Sequence, residues 1–68
     1  MDELDEKIVI ALADSNMNVS EVTRVLFLNR NSLVYRFNRI RRRTGLDPLV
    51  FYDLVELVRI VKGRTADA

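Results

Sequence analysis

Apolar residues recur at spacings of three and four along the whole chain and nowhere alternate with a period of two. That pattern belongs to amphipathic helices and not to half-buried strands. Asparagine, glycine and proline then cut the chain into short pieces: Asn18, Asn29, Gly45 and Pro48 fall between the periodic stretches. A chain so divided is expected to be all-α, with four helices.

The first helix is predicted over Asp2–Asp14, with Leu4, Ile8, Ala11 and Leu12 on one face. Its opening Asp2, Glu3, Asp5 and Glu6 suit the positive end of the helix dipole. The second is predicted over Val19–Phe27, with Asn18 as N-cap and Glu21 at capping-box spacing. Val19, Val22, Thr23 and Val25 make it intrinsically weak, so it should depend on packing. The third is predicted over Arg30–Thr44, capped by Asn29 and stopped by Gly45. Its Leu33, Phe37, Ile40 and Thr44 form a narrow apolar stripe about 60° wide. The fourth is predicted to start with Asp47 as N-cap and Pro48 in the first turn and to run to Val61 or Lys62, leaving a frayed tail over 63–68. Phe51, Leu54, Val55 and Val58 form its expected inner face, but Val50, Leu57 and Val61 widen the apolar arc to about 160°. The expected core is Leu4, Ile8, Leu12, Val22, Leu26, Leu28, Leu33, Phe37, Ile40, Phe51, Leu54, Val55 and Val58.

The chain has 68 residues, the size of a single domain. It contains neither cysteine nor histidine, so disulfides, thiolate metal sites, and Cys or His nucleophile–base pairs are excluded. The longest apolar run, Ile8–Ala13, has six residues, far short of the ~20 that span a membrane. An enzyme is not expected: the paired acids Asp2, Asp5 and Glu6 are accounted for by the dipole. No cofactor or metal is implied.

The net charge of +1 conceals a segregation. Residues 1–21 carry six acids and one base, whereas residues 22–46 carry seven arginines and no acid. Such a block asks for an anionic partner or an internal acidic neighbour. A solvated basic face balanced by the acidic first helix is the alternative, but a surface that only confers solubility usually mixes signs.

The link between the second and third helices is only Phe27, Leu28 and Asn29. Two short helices joined so tightly must cross steeply, as in a helix-turn-helix, here over about 19–44. The second helix of that motif enters the major groove of DNA with its N-terminal residues at the base edges. Opposite the Leu33–Phe37–Ile40 stripe lie Asn31, Tyr35, Asn38 and Arg42, with Ser32 and Arg39 beside them and Arg30, Arg36 and Arg43 flanking. Arginine pairs bidentately with guanine and asparagine with adenine, while serine, tyrosine and arginine hold phosphates. Arg30 is assigned to guanine and Arg36 to a phosphate. Arg41, Arg42 and Arg43 also suit the negative end of the dipole, so capping explains them as well as phosphate contact does.

The stretch Asn18-Val19-Ser20, Leu26-Phe27-Leu28-Asn29-Arg30-Asn31-Ser32-Leu33-Val34-Tyr35-Arg36, Arg39-Ile40 and Thr44-Gly45-Leu46-Asp47 resembles the C-terminal DNA-binding domain of PucR-type regulators, bacterial transcription factors that include regulators of purine catabolism. The layout is also similar to the helix-turn-helix of the nucleoid protein Fis. The resemblance spans about residues 4–61. It implies a four-helix helix-turn-helix domain in which Arg30, Asn31, Ser32, Tyr35 and Arg36 lie at or near DNA. Asn29 stands where many members have histidine, Thr23 where relatives commonly have alanine, and Phe27 where many helix-turn-helix motifs use glycine. The resemblance further implies a domain of a longer regulator with sensing domains before it, working in the bacterial cytoplasm at the nucleoid.

The expected partner is therefore double-stranded DNA, met by Asn29, Arg30, Asn31, Ser32, Tyr35, Arg36, Arg39 and Arg42. The alternative is a helical interaction module that docks an acidic protein through the arginine-rich helix. RNA binding is weaker, since Tyr35 is the only aromatic on the basic face and single-stranded RNA readers need stacking platforms. So small a core cannot enclose every apolar side chain. Some of Ile10, Leu49, Tyr52, Leu57 and Ile60 should stay exposed, ready for a second copy in a homodimer or for an upstream sensing domain.

Overall fold

The computed structural model describes residues 1–66. They form α1 (Glu3–Asp14), α2 (Val19–Leu26), α3 (Arg30–Thr44) and α4 (Phe51–Ala66), and there is no strand among the described residues. α1 packs against both α2 and α4, and α2 against α3.

The helix ends follow from local hydrogen bonding. Asp2 caps α1, its Oδ1 accepting from the Asp5 N–H at 2.8 Å, so the helix proper starts one residue later than predicted. After Asp14 the chain turns through Asn16 (φ 61°) and Met17 (φ 67°). Asparagine tolerates the left-handed region; methionine does so at a steric cost, here offset because Met17 packs against the core. Asn18 Oδ1 accepts from the Glu21 N–H at 3.0 Å, which is half of a capping box. The other half is missing because the Glu21 carboxylate turns to Arg24.

α2 stops at Leu26 and not at Phe27, whose backbone is left-handed (φ 56°, ψ 40°). The N–H groups of Phe27 and Leu28 both reach back to the Thr23 carbonyl, the latter at 3.0 Å, forming a left-handed cap with phenylalanine where glycine is usual. Asn29 Oδ1 accepts from the Ser32 N–H at 2.8 Å and starts α3. Gly45 ends it at φ 76°, its N–H donating to the Arg41 carbonyl at 2.9 Å.

The start of α4 differs from the expectation. Asp47 caps a turn, not the helix: its Oδ1 accepts from the Leu49 N–H at 2.9 Å and its carbonyl from the Val50 N–H at 3.0 Å. Pro48 is buried in that turn, and Asp53 reaches back to the Asp47 N–H at 3.0 Å. The first helical bond runs from the Leu54 N–H to the Val50 carbonyl at 2.8 Å. The helix therefore begins at Phe51 and continues to Ala66, past Gly63 where fraying was expected; residues 67 and 68 lie outside the described residues.

The core is Ile8, Val9, Leu12, Val22, Leu33, Phe37, Ile40, Leu54, Leu57 and Val61. Leu4, Leu26, Leu28 and Val58, expected inside, are partly buried against it, as is Ile10. Phe51 and Val55, also expected inside, are exposed, while Leu57, a candidate for exposure, is fully buried. The reason is rotation of α4 about its axis. An apolar arc of about 160° allows more than one inward face, and packing against α1 selects Leu54–Leu57–Val61. Leu49, Tyr52 and Ile60 are exposed, as anticipated.

Candidate nucleic-acid interface

α3 seats Leu33, Phe37 and Ile40 in the core, which turns the rest of the helix outward. Asn31, Ser32 and Tyr35 are exposed near its start, and Arg41, Arg42 and Arg43 near its end. The first turn of α3 contains no acid, so nothing of its own neutralises the positive end of the dipole, a natural position for an anion. Asn29 is exposed beside it, with its side-chain oxygen engaged in capping and its amide still a donor. Arg30 leans toward α2, Nη2 donating to Ser20 Oγ at 3.1 Å. Asn38 is half-buried and accepts from Arg41 Nη2 at 3.2 Å. Asn31, Ser32, Tyr35 and Arg36 line one side of a groove of about 440 Å³ that Leu4 and Leu28 complete.

Arg36 and Arg39 carry their guanidinium groups toward the start of α1. Arg36 Nη1 donates to Asp2 Oδ2 at 2.7 Å and to Asp5 Oδ1 at 3.1 Å. Arg39 places Nη2 at 3.4 Å from Asp2 Oδ2 and Nε at 3.8 Å from Asp5 Oδ2. That last pair is an ionic contact without a hydrogen bond, and both atoms are buried. Asp5 is completely buried, while each arginine side chain keeps 23% of its surface. An isolated buried carboxylate is strongly unfavourable, and here two guanidinium groups compensate it. The same contacts hold the Asp2 carboxyl below its ordinary range, chiefly through the bond from the Asp5 N–H and then through Arg36. They raise the Arg36 guanidinium further, first through Asp2 and then through Asp5.

The eight residues selected from the sequence thus form two groups. Asn29, Arg30, Asn31, Ser32, Tyr35 and Arg42 lie on the open side of α3, whereas Arg36 and Arg39 bind α1 to α3. Among the described residues, four of the seven arginines in the basic block have an acidic neighbour inside the molecule: Arg24 pairs with Glu21, Arg41 with Asp47, and Arg36 and Arg39 with Asp2 and Asp5. The sequence reading assigned Asp2 and Asp5 to the helix dipole; the available signal was the opposite charge of the two segments. It also passed over Val34, exposed on α3 between Asn31 and Asn38.

The family model of the PucR C-terminal helix-turn-helix domain matches residues 7–59. The chain belongs to this family. No curated protein and no solved structure matches it significantly. In this PucR-type domain the matched segment holds α2 and α3 entire, while Asp2 and Asp5 precede it. No helix among the described residues is long and apolar enough to cross a membrane.

Proposed function

We propose that the chain is the sequence-specific DNA-binding domain of a bacterial transcriptional regulator, with α3 entering the major groove of double-stranded DNA. The observation that carries this is the outer face of α3: exposed Asn31, Ser32, Tyr35 and Arg42, in a helix that follows α2 across a three-residue turn and has no acid along its length. Asn31 has the donor–acceptor pair that matches adenine, and Arg30 the fork that matches guanine once it leaves Ser20. Ser32, Tyr35, the Asn29 amide and the Arg41–Arg43 cluster supply phosphate donors. Arg36 and Arg39 act at one remove, fixing how α3 sits on α1.

Anisotropy titrations with labelled duplexes selected from a random library, over a range of salt, test the reading. Contacts to four to six phosphates give a log–log salt slope of roughly −4 to −5. Arg30→Ala should cost ~1–3 kcal/mol and relax preference at one base pair. Affinity that is flat with salt, or equal for all duplexes, would reject sequence-specific binding and leave the acidic-protein alternative.

Assembly belongs to the same reading. Helix-turn-helix proteins commonly read two half-sites about 34 Å apart as symmetric dimers. In α4, Phe51 and Tyr52 lie edge-to-face with centroids 5.4 Å apart, and both are exposed together with Val55. A second copy is the occupant that fits this patch, and sedimentation equilibrium over a hundredfold concentration range, with Tyr52→Glu as control, tests it. A monomer throughout rejects the dimer.

A further inference from the structure

Val34 is 46% exposed on α3 and belongs neither to the core nor to the apolar residues packed against it. Folding does not account for a valine there. A β-branched residue is a mediocre helix former, and a long polar side chain would serve an exposed helical position better. Its neighbours on the helix surface are polar: Asn31 stands three residues before it and Asn38 four after it, so all three share one side of the helix. Arg30, four residues before it, is drawn toward Ser20, and the valine side chain stays open to solvent.

We propose that Val34 forms a binding subsite for the 5-methyl group of thymine. The inference rests on α3 entering the major groove and adds to that reading a residue and the chemical group it recognises. The thymine methyl is the one apolar group that the major-groove edge of the bases presents, and it is read by apolar side chains. Asn31 precedes Val34 by about 4.5 Å along the helix axis, close to the ~3.4 Å rise of a base step. An asparagine on adenine and a valine on the methyl of a neighbouring thymine therefore read adjacent A·T pairs, and α3 prefers a site with A·T steps under its N-terminal half.

Replacing thymine by deoxyuridine removes this methyl and leaves every hydrogen-bonding group in place. Duplexes selected from a random library by the wild-type chain are remade with deoxyuridine at each thymine in turn, and affinities are measured for wild type, Val34→Ser and Val34→Ile. Because the side chain is exposed, both variants should unfold thermally close to wild type. At one or two thymines the substitution weakens wild-type binding about three- to tenfold, the scale of one buried methyl. Val34→Ile keeps that sensitivity, and Val34→Ser binds the two duplexes alike. Specific wild-type binding that is indifferent to deoxyuridine everywhere, a selected site without thymine, or an undiminished effect in Val34→Ser overturns the subsite and leaves DNA binding intact. Failure of the wild type to bind any duplex overturns the DNA-binding reading and the subsite with it.

Discussion

Arg36 donates to Asp5 at 3.1 Å, linking the middle of the basic helix to a carboxylate that has no exposed surface. With the parallel contact from Arg39, this pair sets the seat of α3 on α1. Asp5→Asn keeps the shape and removes the charge, leaving two guanidinium groups without their buried counter-charge and facing an amide that donates on one side. We expect a loss of ~1–3 kcal/mol in a urea titration. Arg36→Ala should lower the unfolding midpoint clearly, whereas Arg42→Ala, exposed and without an ion pair among the described residues, should stay within about 0.5 kcal/mol of wild type. Equal stability of the two arginine variants would show that Arg36 is not structural.

Asp2 makes the domain acid-sensitive. Its folded carboxyl titrates below the ordinary value of 3.8, chiefly because of the Asp5 N–H bond and then Arg36. Its contribution is therefore complete above that ordinary value and is lost as the pH falls through the lowered one. Thermal midpoints measured from pH 7 to pH 2 should drop in this acid range, and Asp2→Asn should flatten the part of the drop that belongs to Asp2. An unchanged acid profile in Asp2→Asn would contradict the assignment.

Phe27 is 94% exposed and left-handed. It contributes no buried area, and its Cβ is strained where glycine would be relaxed. Phe27→Gly should stabilise the domain by about 0.5–1 kcal/mol, the steric relief exceeding the added flexibility of the unfolded chain. Chemical denaturation checks the sign, and a loss of stability would show that the ring has a contact worth more than the strain.

The two ends of the burial scale separate Phe37 from Phe51. Phe37 is in the core and Phe51 is 60% exposed. Phe37→Ala should cost ~3–5 kcal/mol, comparable to the total stability of so small a domain, and circular dichroism should show it largely unfolded. Phe51→Ala should change stability by about 1 kcal/mol or less. Comparable losses in the two variants would mean that α4 faces inward on the other side.

The sequence alone determined where helices begin and end wherever a single side chain decides the matter. Asn18, Asn29 and Gly45 act through bonds to residues three or four away, and such contacts are written in the local sequence. The narrow stripe of α3 was legible for the same reason: only one face of it can be buried. Tertiary structure decided the rest. Asp47 could cap either a helix or a turn, and the bond from its N–H to the Asp53 carboxylate with the burial of Pro48 selected the turn. The apolar arc of α4 fits several rotations, and the surface of α1 chose the one that buries Leu57 and exposes Phe51. Arg36 and Arg39 look like their exposed neighbours in sequence. Their partner Asp5 lies 31 residues before Arg36, and only the fold, with α2 packed against both α1 and α3, brings those charges close enough for their attraction to offset the burial of the carboxylate.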